Sequence, residues 1–156
     1  MLYLEKMKMH TITSGNYVTS VHGMVHPNRI IGEHDFLYIL DGTWEIWEDD
    51  TSYALQSDDL LILTAGRHHY GKKLCNPGNR HMYVHALPTD VEKEILNHLY
   101  PSAVDPSETF QLFSCSSLLH CQHNPKVRQY MQEIISVSWS HDPERENRLS
   151  LLFSLF

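Results

Sequence analysis

The segment RIIGEHDFLYILDGTWEIW (residues 29–47), with DDLLILTAGRHHYG (residues 58–71) a short way downstream, decides the reading of the fold. Phe36–Leu40 is an unbroken apolar run of strand length, stopped by Asp41-Gly42, a pair that ordinarily signals a hairpin. Thr43–Trp47 follows as a second strand, ended by the acidic turn Glu48-Asp49-Asp50. Leu60–Leu63 is another strand of the buried type, closed by Ala65-Gly66. Working outward, Tyr17–Val21 is β-prone, His26-Pro27-Asn28 is a turn and Ser52–Leu55 is a short strand. Ser57-Asp58-Asp59 is a further turn, and Met82–Leu87 is the last strand before Pro88. Short strands about ten residues apart predict an antiparallel barrel or sandwich.

Beyond Pro88 the period changes. Thr89 and Glu92 have capping-box spacing, and Val91, Ile95, Leu96 and Leu99 share a helical face. Pro101–Glu108 reads as a loop, and Phe110–Leu119 suits strand and helix equally. Asn124-Pro125 predicts a helix start, and Val127, Tyr130, Met131, Ile134 and Ile135 then repeat at helical spacing. Asp142-Pro143 opens a last helix that ends in the apolar run Leu149–Phe156. Apolar surface of that extent seeks a partner, either a second copy of the chain or a continuation of it.

The 156 residues suffice for one domain with a substantial core. Twelve Lys and Arg against 19 Asp and Glu give a formal charge of −7. Nucleic-acid binding by this segment itself is therefore not expected, because phosphate neutralisation needs clustered cations. Cys75, Cys115 and Cys121 are odd in number and lack CxxC spacing, which fits reduced thiols in a cytoplasmic protein. No apolar run approaches the roughly 18–20 residues of a membrane span.

Residues 29–42, TWEIW and LLILTAGRHHYG, in that order and spacing, resemble the ligand-binding cupin of AraC-family transcription regulators. Ser57-Asp58 and Thr64 depart from the usual turn residues of that pattern. The resemblance is detailed from Tyr17 to Leu87 and looser to Phe156. It implies a mainly β fold: a cupin or jelly-roll barrel, residues 1–100 with the following helix, then a helical dimerisation segment, residues 101–156. It also implies a small-molecule effector, a sugar among the candidates, and a homodimer through the helices at 124–156. DNA contact would come only from helix-turn-helix modules that residues 1–156 do not contain.

Many cupins are metalloenzymes, so a metal-dependent isomerase or dioxygenase is the rival reading. Aligning the metal pattern on Gly42 puts Asp35 at the glutamate position and His69 at the late histidine position. No histidine falls at the two early positions near Asn28–Ile31. One imidazole and one carboxylate are too few for a transition-metal centre, so neither a metal nor another cofactor is expected and no catalytic residue is named. His69 with His81 and His85 is an alternative grouping, since His81 and His85 share a strand face. A stand-alone binding module without DNA-binding partners is the third reading.

A small barrel can hold one ligand among its inward side chains. Arg29 is the first candidate contact, because a guanidinium can fork onto hydroxyls or a carboxylate; a structural ion pair with Asp35 or Glu33 is the alternative. Tyr70, His81 and Tyr83 match positions where the resembled family contacts effector, and His69 is a further candidate because its family position points into the barrel. Trp44 and Trp47 have opposite parity, so one of them faces inward, and Trp44, sharing its face with Ile46, reads as core.

Overall fold

The computed structural model describes residues 2–5, 8–97 and 112–156. Its order is β1 (Leu2–Glu5), β2 (Ile12–Ser20), β3 (Arg29–Ile30), β4 (His34–Asp41), β5 (Trp44–Glu48), β6 (Thr51–Leu55), β7 (Asp59–Leu63), β8 (His68–Tyr70) and β9 (Asn79–Ala86). Helix α1 (Asp90–Asn97), β10 (Leu112–Cys115), β11 (Leu118–His120), α2 (Pro125–Ser138) and α3 (Arg145–Leu155) complete it. A five-stranded sheet, β11-β7-β4-β9-β2, faces a four-stranded sheet, β3-β8-β5-β6, and β1 pairs with β10. The protein is mainly β, with its longer helices at the C-terminal end, as expected.

The unbroken apolar runs reflect cover on both sides of the five-stranded sheet. On β4 and β7, Leu37, Ile39, Leu61 and Leu63 point into the barrel, where they meet Trp44, Ile46 and Leu55 of the opposite sheet. Phe36, Tyr38, Leu60 and Ile62 point the other way, onto Met131, Ile134 and Ile135 of α2 and Leu149 and Phe153 of α3. Helix α2 lies close on β2. A Cβ at Gly15 would come within 3.2 Å of Ile135 Cγ1 and 3.3 Å of the Tyr83 carbonyl. The Trp139 indole N–H donates to the Gly15 carbonyl at 2.9 Å.

Several expectations change. Asp41-Gly42 does not close a hairpin: β4 pairs with β7 and β9, and β5 with β6 and β8, so the chain crosses between sheets here. Gly42 takes a φ of 100° to make that corner, and Asn76 accepts from the Thr43 N–H behind it. The stretch from 101 to 156 is not wholly helical, because β11 extends the five-stranded sheet beside β7 and β10 pairs with β1. These strands resolve the ambiguity over Phe110–Leu119 for residues 112 onward. The expected loop at Pro101–Glu108 and the side chain of Leu99 lie outside the described residues.

The capping box forms as the spacing predicts: the Glu92 N–H donates to Thr89 Oγ1 at 3.2 Å, and the Thr89 N–H to Glu92 Oε2 at 2.9 Å. Glu92 does more than cap. Its fully buried carboxylate also accepts the Glu5 N–H and meets His10 Nε2 at 2.8 Å and His34 Nε2 at 3.7 Å. Because His34 Nδ1 accepts the Ala65 N–H at 3.1 Å, a neutral His34 carries its proton on the Nε2 facing Glu92. One side chain thus ties α1, β1, the strand-connecting segment at His10 and β4 together.

Burial alone would push the Glu92 carboxyl up, but the contacts from His10, His34 and the backbone N–H groups hold it well below the usual carboxylate range. A folded value below the unfolded one stabilises the protein above the ordinary carboxylate pKa. That stability drains away as the pH falls through the lowered value. Glu92→Gln should therefore cost about 3 kcal/mol in urea unfolding at neutral pH, and the gap from wild type should narrow under acid.

Candidate functional site

Strand alternation decides which side chains reach the barrel interior. On β9, Met82, Val84 and Ala86 belong to the helix-facing core, which turns His81, Tyr83 and His85 inward. On β4 the same alternation brings in Asp35 and Leu37. Register sets His69 of β8 opposite Arg29 of β3. These strands, with Trp44 from β5 and His26 from the loop before β3, surround a cavity of about 150 Å³ walled by Arg29, Asp35, Trp44, His81, Tyr83 and His85. That is roughly the volume that accepts one six-membered ring.

Its polar groups are unusually under-satisfied. Arg29 donates to Asp35 Oδ2 at 2.9 Å, and His85 Nε2 stands 3.4 Å from the same oxygen without good alignment. Among the described residues, eight buried side-chain polar atoms lack a partner, and five gather here: Arg29 Nε, Asp35 Oδ1, Trp44 Nε1, His69 Nδ1 and His85 Nε2. Native proteins leave few such atoms unpaired, since each costs desolvation free energy. Their concentration at one place is the chief chemical feature of the cavity.

The electrostatics follow from burial. Desolvation pushes the imidazoles of His26, His69 and His81 down to about 4 each, the nearby Asp35 charge only partly opposing it. At neutral pH they are uncharged, each with one donor and one acceptor nitrogen. Burial would raise the Asp35 carboxyl, but the His85 imidazole and the Arg29 guanidinium hold it below the usual range, so it is ionised. The Arg29 and Asp35 charges offset each other.

Of the five expected contacts, Arg29, His81 and Tyr83 line the cavity, and His69 is buried beside it, its ring 5.3 Å from that of His26. Tyr70 does not reach it. Because His69 points in, its neighbour points out, where Tyr70 stacks on His68 and Trp47 and donates to the Asp49 carbonyl. Arg29 pairs with Asp35, its alternative reading, and also lines the cavity. Trp44 is core and cavity wall together, its ring 4.8 Å from His81, whereas Trp47 lies outside under Lys72. His26 escaped the sequence reading because it sits in a turn, and no strand period points it anywhere.

A second, larger cavity of about 340 Å³ lies between the outer face of the five-stranded sheet and α3. Phe36, Leu60, Ile62, Phe153 and Phe156 make it chiefly apolar, with Glu5, Lys8 and His10 among its lining residues.

The family model described as AraC-like ligand binding domain matches residues 17–156. The chain belongs to this family. An uncharacterized HTH-type transcriptional regulator of Bacillus subtilis (strain 168), YisR, is 29% identical over 63 residues, 40% of this chain and 22% of the relative. Apo ToxT from Vibrio cholerae superposes with a TM-score of 0.52 at 14% identity, over 97% of this chain and 55% of that one. An RmlC-like cupin from Shewanella frigidimarina gives a TM-score of 0.44 at 14% identity, over 52% of this chain and 69% of that one. This AraC-like domain therefore matches under a quarter of the length of the regulator and spans about half that of ToxT.

The buried neutral imidazoles make a pH prediction. The unfolded chain takes up protons near pH 6.5 and the folded domain only near 4, so stability is complete above about 6.5 and falls as the pH drops toward about 4. In chelator-treated buffer, His81→Gln should show a shallower decline in melting temperature across that window than wild type. Parallel curves for the two proteins would contradict the assignment.

Proposed function

We propose that this AraC-like domain is the effector-sensing part of a transcription regulator, and that a small neutral polyol of the sugar type occupies its barrel cavity. The observation that carries the reading is the cluster of unpaired buried donors and acceptors around a ring-sized space. Hydroxyl groups both donate and accept, so one polyol can meet Arg29 Nε, Trp44 Nε1 and Asp35 Oδ1 together. Offsetting charges at Arg29 and Asp35 favour a neutral ligand over an ion, and the faces of Trp44 and Tyr83 offer apolar surface to its C–H groups.

Effector binding would matter only through unequal affinity for two arrangements of barrel and helices. Strand β4 supplies the coupling, because Asp35 and Leu37 face the cavity while Phe36 and Tyr38 press on the helices. In this reading α2 and α3 carry a homodimer contact: Trp139, Leu151 and Leu155 are 68%, 55% and 65% exposed. DNA would be bound by modules outside residues 1–156, the protein would act in the cytoplasm, and the barrel would hold its ligand without transforming it. Among the described residues no helix is long and apolar enough to cross a membrane.

A thermal-shift screen of sugars, sugar acids and aromatic acids tests the ligand class. A neutral sugar at a hundredfold excess over its Kd should add about 2.7 kcal/mol of stability, and Trp44→Leu should abolish that gain. Stabilisation by aromatic acids alone, or a gain that survives Trp44→Leu, would refute the polyol reading. Sedimentation of the chain should give a dimer, and Leu151→Glu with Leu155→Glu should give a monomer of unchanged circular dichroism.

A further inference from the structure

We propose that the larger cavity, between the outer face of the five-stranded sheet and α3, is a second binding site, and that it takes an apolar molecule with a single hydroxyl head, of the alkylphenol class. Its volume is about 340 Å³. That is more than twice the roughly 150 Å³ that accepts one benzene ring, so a ring with a short alkyl chain fits. The site is independent of what occupies the barrel, because the two cavities share no lining residue.

The walls are aromatic and aliphatic. The Phe36 ring stands 5.0 Å from Phe153 and 5.7 Å from Phe156, edge to face in both cases, and Leu60 and Ile62 of β7 complete the sheet side. Rings set at such angles offer both faces and edges to a further ring. Concave apolar surface with few polar groups is the usual lining of a small-molecule site.

One polar group in the wall has bonding capacity to spare. Glu5 is 7% exposed, and its Oε2 is buried without a partner among the described residues. The Lys8 ammonium reaches the other oxygen, Oε1, at 3.9 Å. The remaining polar side chains are engaged. His10 Nδ1 and Nε2 face the Lys8 carbonyl and Glu92 Oε1, and Ser154 Oγ donates to the Leu151 carbonyl. The Glu5 N–H is held by Glu92, so the root of the Glu5 side chain is anchored before any ligand arrives.

The bond left to make therefore needs a donor. A carboxylic acid would bring a second negative charge against Glu5, and an amine a second positive charge beside Lys8; like charges at close range are disfavoured. A hydroxyl is neutral and donates to Oε2. The rest of the molecule meets only apolar wall.

The test titrates the full chain with para-hexylphenol by calorimetry, beside para-hexylbenzoate and para-hexylbenzylamine. One phenol per chain should bind and raise the melting temperature, and the other two heads should bind at least tenfold more weakly. Glu5→Leu keeps the backbone bond to Glu92; it should weaken the phenol about tenfold and bring phenol and benzoate within about threefold of each other. Val127→Phe, which fills the cavity from α2, should abolish binding. If that variant misfolds, Glu5→Leu carries the test, because a changed preference between heads is not a stability effect. No phenol binding by wild type, a preference for the benzoate, or unchanged preference in Glu5→Leu would overturn the site. So would binding that survives Val127→Phe and is lost in Trp44→Leu, which would put the phenol in the barrel.

Discussion

The structure depends on one sheet being buried on both of its faces. Strands β4, β7 and β9 separate two cores: one inside the barrel, the other beneath α2 and α3. Covering both faces is what makes Phe36–Leu40 and Leu60–Leu63 continuously apolar where a half-exposed strand would alternate. It also means that successive residues of β4 serve different masters. His34 faces the Glu92 carboxylate, Asp35 the cavity and Phe36 the helices. The backbone of a single strand is therefore common to the Glu92 cluster, the polar cavity and the helical layer.

Within the cavity, the physical theme is polarity held away from water. Arg29 and Asp35 are paired yet retain unused bonding capacity, and His26, His69 and His81 stay neutral because burial disfavours their charge. These unused donors and acceptors are what the proposed polyol would engage, with Asp35 accepting and Arg29 and Trp44 donating.

Much of this could be read from the chain. The strand runs, the capping box at Thr89 and Glu92 and the helix start at Asn124-Pro125 are local signals, and local geometry realises them. That His81, Tyr83 and His85 share a face follows from period-two alternation, while the packing of Met82, Val84 and Ala86 against the helices decides that this face is the inward one. What could not be read depends on distant partners. Asp41-Gly42 announces a change of direction but not the sheet that receives the next strand, which the strand pairings decide. The pairing of β1 with β10 and of β3 with β8 joins segments too short to carry a pattern. Tyr70 was drawn into the site by its family position, although alternation with His69 already turned it outward. His26 acquires its place only when the loop folds against β8.

The glycine on β2 has a mechanical meaning. A methyl group at Gly15 would press to 3.2 Å from Ile135 Cγ1, and with the Trp139 indole fastened to the Gly15 carbonyl, strand and helix interlock like a tongue in its groove. Tyr83, one wall of the cavity, pairs with Asn16 next to that joint. Close packing at this joint ties the cavity wall to helix α2 more tightly than a looser contact would.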